Sequence, residues 1–119
     1  MEINDMQKIV DDYIGQFEIG YFSPLASLAR LTEEVGELAR EINHHYGEKP
    51  KKESESEKAI SEELGDVLFV VITLANSLEV DLGDAFSQVM EKFEKRDRYR
   101  FKRVDGQTAP DTKMSDSDE

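Results

Sequence analysis

The sequence contains no cysteine. That excludes a disulfide framework, a zinc–thiolate site and thiol redox chemistry. Glycine and proline are scarce, 7 and 3 residues among 119, too few for a turn-rich β-protein. No stretch approaches the roughly 18 consecutive apolar residues of a membrane helix, and the first ten residues lack the apolar core of a signal peptide. Basic residues are outnumbered, 15 Lys and Arg against 27 Asp and Glu, for a net charge of −12. Such a chain repels nucleic acid and anionic membranes unless its charge is segregated. A soluble cytoplasmic protein with neither of those partners is expected.

The length suits one domain. A chain this short buries only about two-thirds of its unfolded surface, so oligomerisation would help it. Apolar residues are 38% and charged residues 35% of the total, which fits a thin helical bundle with a wet exterior. Four helices are expected. The first follows Asn4 or Asp5 as cap, with Met6, Ile9, Val10, Tyr13, Ile14 and Phe17 on one face. Ser23 and Pro24 form a start signal for the second, which runs to about residue 45 with Leu28, Leu31, Val35, Leu38 and Ile42 as its buried stripe. Gly47, Lys49 and Pro50 end it, and Ser54 or Ser56 caps a third helix over about residues 57–78. The apolar run of residues 67–72 marks that helix as buried on several sides. Asp81 is placed to cap a fourth, with Leu82, Ala85, Phe86, Val89, Met90 and Phe93 inward, ending between residues 97 and 103. The expected architecture is all-α, a four-helix bundle-like core over residues 1–103. Residues 104–119 read as a disordered acidic tail, with almost nothing to bury.

The most informative feature is an internal echo. Glu33-Glu34-Val35-Gly36-Glu37 recurs 29 residues later as Glu62-Glu63-Leu64-Gly65-Asp66. Glu34 and Glu37 lie three apart, as do Glu63 and Asp66, so each pair shares a helix face. At 100° per residue these acids flank the apolar stripes rather than oppose them. If the two helices pack antiparallel, four carboxylates converge at one seam. Like charges at this spacing destabilise helices, and half-buried carboxylates lose hydration. A divalent cation removes both costs, and an all-oxygen donor set suits Mg²⁺ or Mn²⁺. Gly36 and Gly65 each cost roughly 1 kcal/mol against Ala in a helix, which implies close backbone approach or space for a ligand. Acid pairs on a single helix are usually a solvated face; the matched copies argue against that here.

With these residues in view, the sequence resembles the MazG-like nucleotide pyrophosphohydrolases, whose signature is Glu-Glu-x-x-Glu followed, after a variable stretch, by Glu-x-x-Asp. Here it reads Glu33-Glu34-Val35-Gly36-Glu37 and Glu63-Leu64-Gly65-Asp66, with 25 residues between. The resemblance covers roughly residues 24–98. It implies an all-α bundle that hydrolyses nucleoside triphosphates between the α- and β-phosphates, using Mg²⁺, with Mn²⁺ as a possible substitute. Glu34, Glu37, Glu63 and Asp66 would be metal ligands. Glu33 would orient or deprotonate the attacking water, with Glu34 sharing that role. The family also supplies basic side chains from its last core helix. Residues 92–103 hold seven Lys or Arg and two acids, and Lys92 and Arg96, one turn apart, would face the phosphates. Many relatives carry Asn where this chain has Arg96. Relatives assemble as dimers or tetramers, so a homodimer or homotetramer is expected.

Weaker features complete the reading. Tyr21, Phe22 and Asn76 are candidates for a base pocket, although Tyr21 and Phe22 also fit a hydrophobic staple before a helix. Glu41 shares the face of Glu34 and Glu37 and is expected to be solvated, and His44 and His45 to be surface residues. Sanitising of unwanted nucleotides is one role the resemblance suggests. The alternatives are phosphoribosyl-ATP pyrophosphohydrolase and a non-catalytic helical nucleotide-binding or adaptor module. Nucleic-acid binding through residues 92–103 is disfavoured by the net charge.

Overall fold

The computed structural model describes residues 1–47 and 60–111. It contains four helices and, among the described residues, no strand: α1 Ile3–Ile14, α2 Pro24–Tyr46, α3 Ile60–Ser77 and α4 Leu82–Asp97. The expected all-α class holds. The chain divides into two compact units, Met1–Gly83 and Asp84–Glu119. No described helix is long and apolar enough to cross a membrane.

Start signals set the helix boundaries. Ser23 Oγ accepts the Ala26 N–H at 3.2 Å, with Pro24 in the first helical position, as the sequence requires. The first helix differs. It begins two residues ahead of Asp5, with Glu2 as N-cap, and Asp5 acts from inside the first turn by accepting the Glu2 N–H at 2.8 Å. The expected caps Ser54 and Ser56 lie outside the described residues. At its far end α3 stops in a Schellman turn: the Val80 N–H reaches the Ala75 carbonyl at 2.8 Å and the Glu79 N–H that of Asn76 at 3.1 Å. Glu79 occupies the left-handed position of this turn, with φ 58°, where glycine is the usual residue.

In the first unit α3 is central, packed on one side by α1 and on another by α2. Gln7 meets Asn76 while Tyr13 meets Phe69, so α1 and α3 run antiparallel. Arg30 meets Phe69 while Glu34 and Glu37 meet Glu63, so α2 and α3 are also antiparallel. This is the arrangement needed to bring the two acidic motifs together.

The buried apolar centre is small: Val10, Val70, Ile72 and Ala75, joined by the buried Thr73, whose hydroxyl donates to the Phe69 carbonyl at 2.9 Å. Leu28, Val35 and Ile42, expected to be buried, are exposed. The face that α2 turns to α3 carries Ser27, Leu31, Glu34, Leu38 and Glu41, a heptad-like alternation of four and three. Leu31 and Leu38 keep the places expected of them, while three of the five positions move one residue earlier, so the seam is turned by roughly 60° from the apolar stripe. It holds Ser27, Glu34 and Glu41 where Leu28, Val35 and Ile42 were expected.

A polar cluster ties the ends of this unit. The Asn76 amide donates to the Gln7 carbonyl at 2.9 Å and to the Tyr21 hydroxyl at 3.0 Å, and accepts from the Gln7 amide at 2.9 Å. Gln7 also accepts the Leu82 N–H at 2.9 Å, and the Tyr21 hydroxyl donates to Asp11 at 2.7 Å. In the second unit, Phe86, Val89, Met90 and Phe93 of α4 are exposed rather than inward. Of the expected acidic tail, residues 104–111 form neither helix nor strand, Arg103 pairing with Asp105 at 3.0 Å. Residues 112–119 lie outside the described residues.

Candidate metal centre

The α2–α3 seam brings Glu34, Glu37 and Glu63 together. Each offers one carboxylate oxygen, and the three oxygens lie within 4.8 Å of one another. Glu63 is 1% exposed, Glu34 is half-buried and Glu37 is exposed. Oε1 of Glu34 is buried and has no hydrogen-bond partner among the described residues. A buried carboxylate oxygen is normally satisfied by donors. Here its neighbours are other acids.

The electrostatic cost is considerable. Two unit charges at 4.8 Å repel by about 1 kcal/mol in water and by about 3 kcal/mol at an effective dielectric of 20. Burial raises the Glu34 carboxyl above its ordinary value. The charges of Glu37, Asp66 and Glu63 raise it further, and only Arg30 opposes them. Asp66 is half-buried, one turn after Glu63, and acts on Glu34 through its charge while standing outside the group of three. Glu33 is exposed on α2 beside Glu34.

The donor chemistry fits a hard divalent cation. Carboxylates without Cys or His favour Mg²⁺ or Mn²⁺ over zinc, and such an ion gives the buried Glu34 oxygen the partner it lacks. Gly36 and Gly65, the matched glycines of the motif, face open space: a Cβ at either would meet nothing within 4 Å. Close backbone approach within the chain is thus not what these glycines serve, and Gly65 borders α1 residues Met6, Ile9 and Val10 rather than the acids.

Three residues escaped the sequence reading. Glu41, expected to be solvated, is 6% exposed. It recurs seven residues after Glu34, as Glu34 does after Ser27, and that spacing was the available signal. Its Oε1 lies 3.9 Å from Nε2 of His45. His44 is half-buried rather than a surface residue. Arg30 precedes Glu34 by one helical turn. Its guanidinium carbon stands 5.8 Å from the Phe69 ring centroid, within cation–π range.

Arg30 and Phe69 belong to the lining of a cavity of about 230 Å³, with Tyr13, Phe17, Tyr21 and Phe22 among its other walls. Two of the three base-pocket candidates, Tyr21 and Phe22, therefore sit on one cavity. The third, Asn76, has its amide engaged in the polar cluster with Gln7 and Tyr21. Rings of the cavity meet edge to face, Tyr13 with Phe17 at 5.3 Å and with Phe69 at 6.3 Å. Lys92 and Arg96 lie on α4 in the second unit, both over the Phe93 ring at 5.4 Å. Arg96 also donates twice to Asp97, at 3.1 Å each.

Residues 22–101 match the MazG nucleotide pyrophosphohydrolase domain. The chain is similar to the uncharacterized protein YpjD of Bacillus subtilis, with 61% identity over 101 residues, 85% of this chain and 91% of that one. It is more distantly similar to YvdC of the same organism, also uncharacterized, at 28% over 102 residues, 81% and 96% of the two chains. The crystal structure of B. subtilis YpjD, described there as a candidate pyrophosphatase, superposes with a TM-score of 0.72 at 62% identity, covering 78% of this chain and 95% of that one. The crystal structure of a Bacillus-conserved MazG protein, described as a nucleotide pyrophosphohydrolase, gives 0.71 at 61% identity, covering 81% and 93%.

Proposed function

The chain belongs to the MazG nucleotide pyrophosphohydrolase family, and from that premise we propose that it is a Mg²⁺-dependent nucleoside-triphosphate pyrophosphohydrolase. It converts NTPs or dNTPs to the monophosphate and pyrophosphate. The observation that carries this reading is the group of three carboxylates within 4.8 Å at the α2–α3 seam, with an unsatisfied Glu34 oxygen. No structural role for such a group is apparent in the fold, since its charges oppose the packing around them.

Glu34, Glu37 and Glu63 would hold the cation, with Asp66 adding charge from the next turn. When bound, Mg²⁺ screens the triphosphate and lowers the pKa of water; Mn²⁺ substitutes. Glu33, exposed beside Glu34, orients the attacking water and accepts its proton, and Glu34 shares that task. Water oxygen bonds to a phosphorus of the α–β bridge, the bridge bond to that phosphorus breaks, and pyrophosphate departs. Lys92 makes no ion pair among the described residues and would meet a phosphate without giving one up; Arg96 would exchange Asp97 for one. The aromatic cavity takes the base.

We also infer a homodimer or homotetramer. Leu28, Val35 and Ile42 on α2, and Phe86, Val89, Met90 and Phe93 on α4, form exposed apolar rows of the kind that association covers. The cytoplasm, where nucleoside triphosphates and Mg²⁺ are both abundant, is the expected compartment.

Product analysis by ³¹P NMR tests the reaction. The purified protein is given a panel of NTPs and dNTPs with Mg²⁺ or with EDTA. Monophosphate and pyrophosphate in the Mg²⁺ samples alone, absent in Glu34→Gln, support it. A folded protein that turns over none of them would instead point to phosphoribosyl-ATP or to a binding module.

A further inference from the structure

Among the described residues Arg30 has no carboxylate within ion-pair distance, in a chain of net charge −12. Arg96, Arg98 and Arg103 each pair with an acid. Arg30 makes neither an ion pair nor a hydrogen bond among the described residues, although it is exposed on α2. Its ring contact, with Phe69 at 5.8 Å, engages no N–H donor in an ion pair or hydrogen bond. The five N–H donors lie in the guanidinium edge.

Its position is as informative as its freedom. On one side it lines the aromatic cavity. On the other it lies one turn from Glu34 and its charge is felt there. The cavity, at about 230 Å³, is smaller than the roughly 300–1,000 Å³ that encloses a whole drug-sized ligand. It takes one ring system and leaves the rest of a nucleotide outside. A nucleotide with its base among Tyr13, Phe17 and Phe69 and its phosphates at the acidic group must pass Arg30 with the part that joins them, the sugar and the first phosphate. A sugar needs no cation. A phosphate suits a guanidinium, which grips it through two parallel N–H donors.

We propose that Arg30 is a substrate-binding residue that holds the first phosphate of a nucleotide whose base occupies the aromatic cavity. This rests on the nucleotide-hydrolase reading for its ligand class, and on this chain's own geometry for the residue. It separates recognition into an apolar end and a charged joint, both set by the first unit alone.

Binding of nucleosides and of their 5′-monophosphates, which are products and are not consumed, tests it without turnover. Calorimetry is done with the four common deoxynucleosides and their monophosphates in Mg²⁺. In the wild-type protein the phosphate tightens binding by roughly tenfold or more. Arg30→Gln removes most of that increment and leaves nucleoside affinity within about twofold. Arg30→Lys keeps part of it. Phe17→Ala weakens nucleoside and monophosphate in parallel, by roughly tenfold as expected for a lost stacking partner. An increment unchanged in Arg30→Gln overturns the assignment, as does an equal loss for nucleoside and monophosphate, or no binding of either by the wild type. If triphosphates are hydrolysed and the increment survives Arg30→Gln, only the Arg30 assignment falls. If none is hydrolysed and the increment depends on Arg30, the hydrolase reading falls and Arg30 stands.

Discussion

Glu34 of α2 and Glu63 of α3, separated by 29 positions in the sequence, present carboxylate oxygens within 4.8 Å of each other. Antiparallel packing of the two helices makes this possible, and the turn of the α2 seam toward Ser27, Glu34 and Glu41 puts Glu34 into it. The contact opposes folding in the absence of a cation, and that opposition is measurable.

Glu34→Gln should therefore stabilise the metal-free protein, by about 1 kcal/mol, because the neutral amide keeps the shape and removes the repulsion. The same substitution should abolish stabilisation by Mg²⁺. The pH dependence carries the sign. The Glu34 carboxyl is raised above its ordinary 4.5, so the folded state holds this proton more tightly than the unfolded chain does. Its contribution favours the fold at low pH and is lost as pH rises from about 4.5 through the raised folded value. Denaturant titrations in EDTA from pH 4 to pH 8 should show this loss in wild type and its reduction in Glu34→Gln. A Glu34→Gln protein that is less stable in EDTA at pH 7 would mean that the carboxylate is satisfied.

Asn76 is predicted to matter for stability first. Its amide makes three hydrogen bonds to Gln7 and Tyr21, and truncation strands partners that are partly buried. Asn76→Ala should cost about 2–3 kcal/mol in urea unfolding. A cost below about 0.5 kcal/mol would show that the cluster is dispensable.

Glu79 stands in the left-handed position that ends α3. A residue with a Cβ loses roughly 1–2 kcal/mol there, and glycine gives back part of that through its freer unfolded chain. Glu79→Gly should raise stability by up to about 1 kcal/mol, read as a rise in Tm, with no change at the acidic seam. A fall in Tm would show that the Glu79 side chain has a role in the turn.

The helices were legible because each start carries its own chemistry. Ser23-Pro24 is local, and so is the amphipathic spacing of α1. The paired motif was legible because it repeats, and antiparallel packing converted the repeat into a three-carboxylate group. Hydrophobicity misled where it was used to orient α2. Leu28, Val35 and Ile42 looked like a core stripe, yet a helix packed chiefly on α3 turns one narrow seam inward, and that seam holds Ser27, Glu34 and Glu41. A sequence does not show that its designated interior is polar until a partner helix is in place. The role of Arg30 was hidden for a related reason. Its i to i+4 spacing to Glu34 is local, whereas the ring beneath it, Phe69, comes from another helix. The expected caps and tail beyond the described residues stay as expectations.

The central claim is that the Glu34–Glu37–Glu63 group is a divalent-cation site. Titration of the protein with Mn²⁺, followed by electron paramagnetic resonance of the free ion, tests it most directly. The account predicts saturable binding that Mg²⁺ displaces, weakened at least about tenfold in Glu34→Gln, with a matching rise in thermal stability of the wild type when metal is added. Mn²⁺ binding that is undiminished in Glu34→Gln, or absent from a folded wild-type protein, would contradict it.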